Sequence, residues 1–79
     1  MYYVYILKSE KDGTFYTGMT LDIQKRLLEH NQSVTKTTRA RQPWKLIYSE
    51  SCKTRQEARL REMYWKSGAG REKRNLLQV

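Results

Sequence analysis

Five side chains in this 79-residue chain have types and spacings that could do chemistry. They are two tyrosines in strand-like segments, Tyr5 and Tyr16, an arginine and a histidine one helical turn apart, Arg26 and His30, and Glu62. Glu62 shares a helical stripe with Ala58 and Trp65, residues that face a core, and a carboxylate there is costly unless it is paired or bound to a metal. Each has a plainer reading as well. The tyrosines suit a core or a sheet surface, Arg26 and His30 suit a solvated helix edge, and Glu62 suits a salt bridge with Arg59 or Arg61. Other catalytic inventories are nearly empty: one histidine, one cysteine (Cys52), no glycine-rich phosphate loop and no pair of ligands at zinc-like spacing.

The elements that must position these groups are short. Tyr2 to Leu7 is aromatic and β-branched with no polar residue, which predicts a central strand covered on both faces. Asp12-Gly13 predicts a two-residue hairpin turn, and Phe15 to Gly18 the returning antiparallel strand. If Lys11 pairs with Thr14, Leu7 lies opposite Gly18 and Ser9 opposite Tyr16, and Tyr5 shares a sheet face with Tyr16 and Gly18. Gly18 itself either lets a phosphate or another backbone approach the sheet or marks a bulge.

Asp22 to His30 reads as a helix stopped at Asn31, residues 31–43 as a polar basic loop, and Trp44 to Tyr48 as a third strand. Thr54 with Glu57 is a capping-box pattern, opening a helix that runs to Lys66 and stops at Ser67-Gly68. Beyond Gly70, Arg71 to Leu77 is a short basic third helix. The order ββαβαα predicts an α+β fold, a small three-stranded antiparallel sheet flanked by helices, as a single domain over residues 1–79.

Sixteen Lys+Arg against eight Asp+Glu leave a net charge of +8, so a polyanion is the expected partner, with solubility as the plain alternative. All the excess lies beyond residue 29, while the first third of the chain is neutral. The loop 33–43 mixes Lys36, Arg39 and Arg41 with threonines, donors suited to phosphate oxygens rather than base edges. One cysteine allows no intrachain disulfide and suits a reducing, cytoplasmic setting. No apolar run approaches the ~20 residues that would span a bilayer.

Taken in order, the residues resemble the GIY-YIG nuclease superfamily, and particularly its small stand-alone members, over nearly the whole chain. Tyr3-Val4-Tyr5 is similar to the first motif and Tyr16-Thr17-Gly18 to the second. Arg26 matches the helix arginine, His30 follows in Leu28-Glu29-His30-Asn31, and Glu57-Ala58 leads to Glu62. Thr38 to Pro43 and Lys66 to Arg71 also resemble stretches of these proteins. The resemblance implies metal-dependent hydrolysis of DNA phosphodiesters with little sequence specificity, in repair or recombination, on branched or damaged DNA, with RNA as a further substrate class. Mg²⁺ or Mn²⁺ would be held by Glu62, with Arg26 as the electrostatic clamp.

Tyr16 would be the base, with Tyr5 as its hydrogen-bond partner and His30 sharing the proton work. A phenol must fall by about three pKa units to act as a base at neutral pH, roughly 4 kcal/mol of differential stabilisation. The implied nucleic-acid contacts are Gly18, Lys36, Thr38, Arg39, Arg41, Lys66 and Arg71. Met19 stands where the excision-repair branch has lysine, and Asn75 is a loose counterpart of its late asparagine. The alternative is a non-catalytic nucleic-acid-binding protein with the same fold.

Overall fold

A computed structural model describes residues 1–32 and 41–77. The central strand β1, Tyr2–Ser9, lies between β2, Phe15–Thr20, and β3, Trp44–Cys52, in the order β2-β1-β3, antiparallel throughout. Helix α1, Ile23–Asn31, follows β2, and α2, Arg55–Lys66, and α3, Gly68–Asn75, follow β3. This is the expected α+β order. Strands β1 and β3 run on to Ser9 and Cys52, past the expected ends at Leu7 and Tyr48, because the two pair along nearly their whole lengths.

Alternation along β1 divides the core in two. Val4 and Ile6 pack with Cys52, Ala58 and Trp65 beneath α2, while Tyr5 and Leu7 pack with Trp44, Tyr16 and Leu27 beneath α1. Both sets are buried, which explains why β1 lacks the polar alternation of a strand with one wet face.

The hairpin register differs from the expected one by two residues. Tyr5 pairs with Gly18 and Leu7 with Tyr16, rather than Leu7 with Gly18. Gly13, at φ +75°, donates its N–H to Ser9 O while Ser9 N–H donates to Thr14 O, so a four-residue loop, Glu10 to Gly13, that ends in a glycine bulge replaces the two-residue turn. Buried Ser9 stabilises it, its Oγ accepting from Lys11 and Asp12 N–H and donating to Arg41 O. Since the slip is even, the expected sharing of a face by Tyr5, Tyr16 and Gly18 survives.

Capping residues set the helix starts. Asp22 accepts from Lys25 N–H and Thr54 from Glu57 N–H. The junction of α2 and α3 departs from expectation. Ser67 closes α2 through its N–H to Tyr64 O and opens α3 by accepting from Gly70 N–H, so no glycine cap is used and α3 begins at Gly68 rather than Arg71. Gly70 lies inside α3 and is buried.

Glu62 pairs with Lys66, not with Arg59 or Arg61. Arg61 instead makes a two-pronged contact with Glu50 on β3, at 2.8 and 3.2 Å, and Trp65 Nε1 donates to the same carboxylate. Burial pushes the Glu50 carboxyl up, but these donors outweigh it and hold it below the usual range. Glu62 is thus not alone among carboxylates in facing inward. No helix among the described residues is long and apolar enough to cross a membrane.

Candidate active site

Register places Tyr5 against Gly18, and α1 carries His30 over both. A Cβ on Gly18 would lie 2.7 Å from Tyr5 Oη and 3.2 Å from Tyr16 Cε1. Such approaches are closer than side chains tolerate, so the room left by the glycine is taken by the Tyr5 phenol. The β1–β2 pairing passes through Gly18 without a bulge.

Tyr5 Oη and His30 Nε2 share a buried hydrogen bond of 3.1 Å. Tyr5 thereby bonds His30, where sequence reasoning assigns it to Tyr16; the two tyrosine rings stack instead, 6.3 Å apart. The edge contact of Tyr16 with His30, at 4.6 Å, completes the cluster.

Trp44, which sequence reasoning treats only as the start of a strand, packs edge-on to both Tyr16 and His30 and walls the cluster. Asn31 positions it, accepting from Trp44 N–H at 2.7 Å and donating to Trp44 O at 3.1 Å. Gln42 donates to His30 O, adding a second tie between the end of α1 and β3. The signal in the sequence was a polar helix stop followed later by tryptophan, too weak to reveal a paired contact.

The surroundings settle protonation. Burial, reinforced by Tyr16, Glu62 and Glu29 against Arg26, pushes the Tyr5 phenol well above its ordinary value. Tyr5 therefore keeps its proton at neutral pH and is not a base. Burial and then the Arg26 charge hold His30 below its ordinary value, with Glu29 opposing. The imidazole is neutral at pH 7.

Since the unfolded chain then binds the proton that the folded one refuses, stability is fully present above the unfolded pKa of about 6.5 and is lost as pH falls below it. Melting temperature is expected to drop between pH 7 and 5, and His30→Gln to flatten that decline. Parallel curves for the two proteins would exclude His30 as its source.

Arg26 sits one turn before His30, with its side chain 47% exposed and a 3.6 Å ion pair to Glu29. Such a pair is weak, so the guanidinium can exchange it for a phosphate. A groove of ≈ 420 Å³ extends from Arg26 past Met19 and Lys25 to Arg55 at the start of α2. Met19, the departure from the lysine of the excision-repair branch, lines that groove.

Glu62 lies on α2. Its side chain is 14% exposed, with Oε2 at 3.2 Å from Lys66 Nζ. No group of three His, Cys, Asp or Glu among the described residues could hold a metal. A single carboxylate nevertheless fits Mg²⁺ or Mn²⁺, hard ions satisfied by one or two carboxylates with phosphate and water. It does not fit a structural zinc.

The remaining expected contacts are spread out. Arg41 pairs with Asp12 at 3.7 Å, Lys66 is held by Glu62, and exposed Arg71 lines a cleft with Tyr16. Asn75 ends α3 in an exposed position. Lys36, Thr38 and Arg39 lie outside the described residues.

Comparison with known proteins gives consistent matches. The family description "GIY-YIG catalytic domain" matches residues 1–75. A UPF0213 protein of Desulfotalea psychrophila is 42% identical over 80 residues, covering 99% of this chain and 72% of its own. Another from Staphylococcus saprophyticus is 40% identical over 77 residues, covering 96% and 93%. The solution NMR structure of a UPF0213 protein from Bacillus halodurans superposes with a TM-score of 0.58 at 35% identity, covering 98% of this chain and 83% of that one.

Proposed function

Given that the chain belongs to the GIY-YIG family, whose members are generally endonucleases, we propose that it is a divalent-metal-dependent endonuclease that hydrolyses DNA phosphodiesters with little sequence specificity. One observation supports this above the others: Tyr5, Tyr16 and His30, from three different elements, form one cluster in which Tyr5 bonds His30 and the rings of Tyr5 and His30 both pack on Tyr16. Groups so far apart in sequence converge on one spot, as a reaction centre needs.

Glu62 would hold Mg²⁺ or Mn²⁺, which when bound would supply Lewis-acid stabilisation of phosphoryl and leaving oxygens. Arg26 releases Glu29 and offers its fork to the phosphoryl oxygens, whose charge grows in the transition state. Tyr16, partly exposed at the mouth of the cluster, loses its phenol proton to solvent and as the phenolate takes the proton from the attacking water. With the imidazole proton on Nε2, His30 donates to Tyr5 Oη and leaves the Tyr5 proton free for an oxygen of the substrate. Gly18 keeps that phenol in place. Buried Cys52, its thiol pushed up by burial, takes no part, and a reducing cytoplasm suits it.

Supercoiled plasmid incubated with Mg²⁺ or Mn²⁺ tests the reading. Nicking is expected with metal and not with EDTA, and Tyr16→Phe is expected to slow it by about a hundred-fold or more. Binding without nicking on plasmid, branched DNA, single strands and RNA would select the non-catalytic alternative. The Lys66 grip on Glu62 is the feature that favours that alternative.

A further inference from the structure

A second cleft, of ≈ 300 Å³, opens at the start of β2 and is lined by Phe15, Tyr16, Thr17, Lys66, Arg71 and Arg74. Three of these six are cations and none is acidic. Arg71 and Arg74 lie one turn apart on α3, so they share a helix face and repel one another. Arg74 is held in place by Phe15, its Cζ 4.1 Å from the ring centroid. Its Nε is buried with no hydrogen-bond partner among the described residues.

A buried guanidinium nitrogen without an acceptor is costly, and a second arginine beside it adds to the cost. An anion in the cleft relieves both. Burial and the Arg71 charge already lower the affinity of Arg74 for its proton, in keeping with that electrostatic frustration.

The geometry points to a phosphate subsite formed by Arg74, Arg71 and Lys66, which takes a backbone phosphate of the nucleic-acid strand next to the one attacked beside Tyr16. Two features select a strand phosphate rather than a free anion. Tyr16 lines this cleft while its ring packs on His30, and Lys66 joins the cleft to Glu62 through its ion pair. The subsite is therefore continuous with the candidate reaction centre. Guanidinium forks also match the paired oxygens of a phosphodiester. The inference rests on the proposed function only in taking nucleic acid as the ligand; it does not need turnover.

The test measures binding alone. A fluorescein-labelled oligothymidylate of about ten nucleotides, a length within single-strand site sizes, is titrated in EDTA while anisotropy is read. Arg71→Gln and Arg74→Gln should each weaken binding by about ten-fold and reduce the salt slope by about one. Arg59→Gln removes the same charge from an exposed site on α2 outside the cleft and should change affinity less than about two-fold. Equal losses in all three variants, or no loss at Arg71 and Arg74, would overturn the subsite. Because Arg74 is partly buried, exposed Arg71 decides alone if Arg74→Gln fails to fold. Selective loss at Arg71 in a protein that never nicks DNA would retire the enzyme reading and keep the subsite.

Discussion

Replacing Glu62 by glutamine is expected to reduce metal-dependent nicking of supercoiled plasmid by about a thousand-fold or more while leaving DNA binding no weaker. Glutamine keeps the shape of the side chain and lacks the charge that holds a divalent ion. Among the described residues the i, i+4 ion pair with Lys66 is the contact at risk, worth about 0.3–0.5 kcal/mol, so the fold should survive. Binding should hold or improve because Lys66 is released toward phosphate and net charge rises from +8 to +9. The measurement pairs plasmid nicking with anisotropy on the same preparations. Undiminished nicking by Glu62→Gln would remove Glu62 from the mechanism or expose a contaminating nuclease. Parallel loss of binding and nicking would make Glu62 a structural residue.

Gly70→Ala should have the largest effect on stability. A Cβ there would run into Tyr64 O and lie 2.6 Å from Trp65 Cα and 2.8 Å from Tyr64 C, all of them backbone atoms of α2. No rotamer change relieves that, so α3 must move away from α2. Trp65, 1% exposed, would lose cover from Leu77 and Lys73. Overpacking of this kind costs about 3 kcal/mol, a large part of the ~4–12 kcal/mol total for a chain of this length. The melting temperature is expected to fall by about 15 °C.

Gly68→Ala is the control, since nothing lies within 4 Å of its Cβ position. It should hold or slightly raise the melting temperature through better helix propensity. Equal thermal curves for the two variants would mean that α3 is not seated against the end of α2. Moving α3 also moves Arg71 and Arg74, so Gly70→Ala should weaken oligonucleotide binding at temperatures where it remains folded.

Much of this architecture was legible because its signals are short-range. Asp22 and Thr54 announce their helices through hydrogen bonds three residues long, and β1 announces its central place by a run of apolar residues. Alternation with period two put Tyr5, Tyr16 and Gly18 on one face even though the expected register was wrong by two. The loop itself was misread because Asp12-Gly13 suits both a two-residue turn and a longer one. Ser9 ties the longer loop to the Arg41 carbonyl, a contact 32 residues away that no local pattern contains.

Glu50 and Trp44 were the opaque positions. Glu50 looks like a solvated strand residue until α2 lays Arg61 and Trp65 across it. Trp44 becomes a wall of the site through tertiary contacts, among them Asn31, 13 residues away, which grips both its backbone groups.

By itself, then, the sequence determined the kinds of element, their order and the residue types available for chemistry, because propensity, capping and alternation act over a few residues. Only the tertiary structure decided what those residues are. It made Tyr5 a protonated phenol and His30 a neutral imidazole, and it left Arg74 Nε without an acceptor among the described residues, because proton affinity and hydrogen-bond satisfaction depend on burial and on charges brought near by packing.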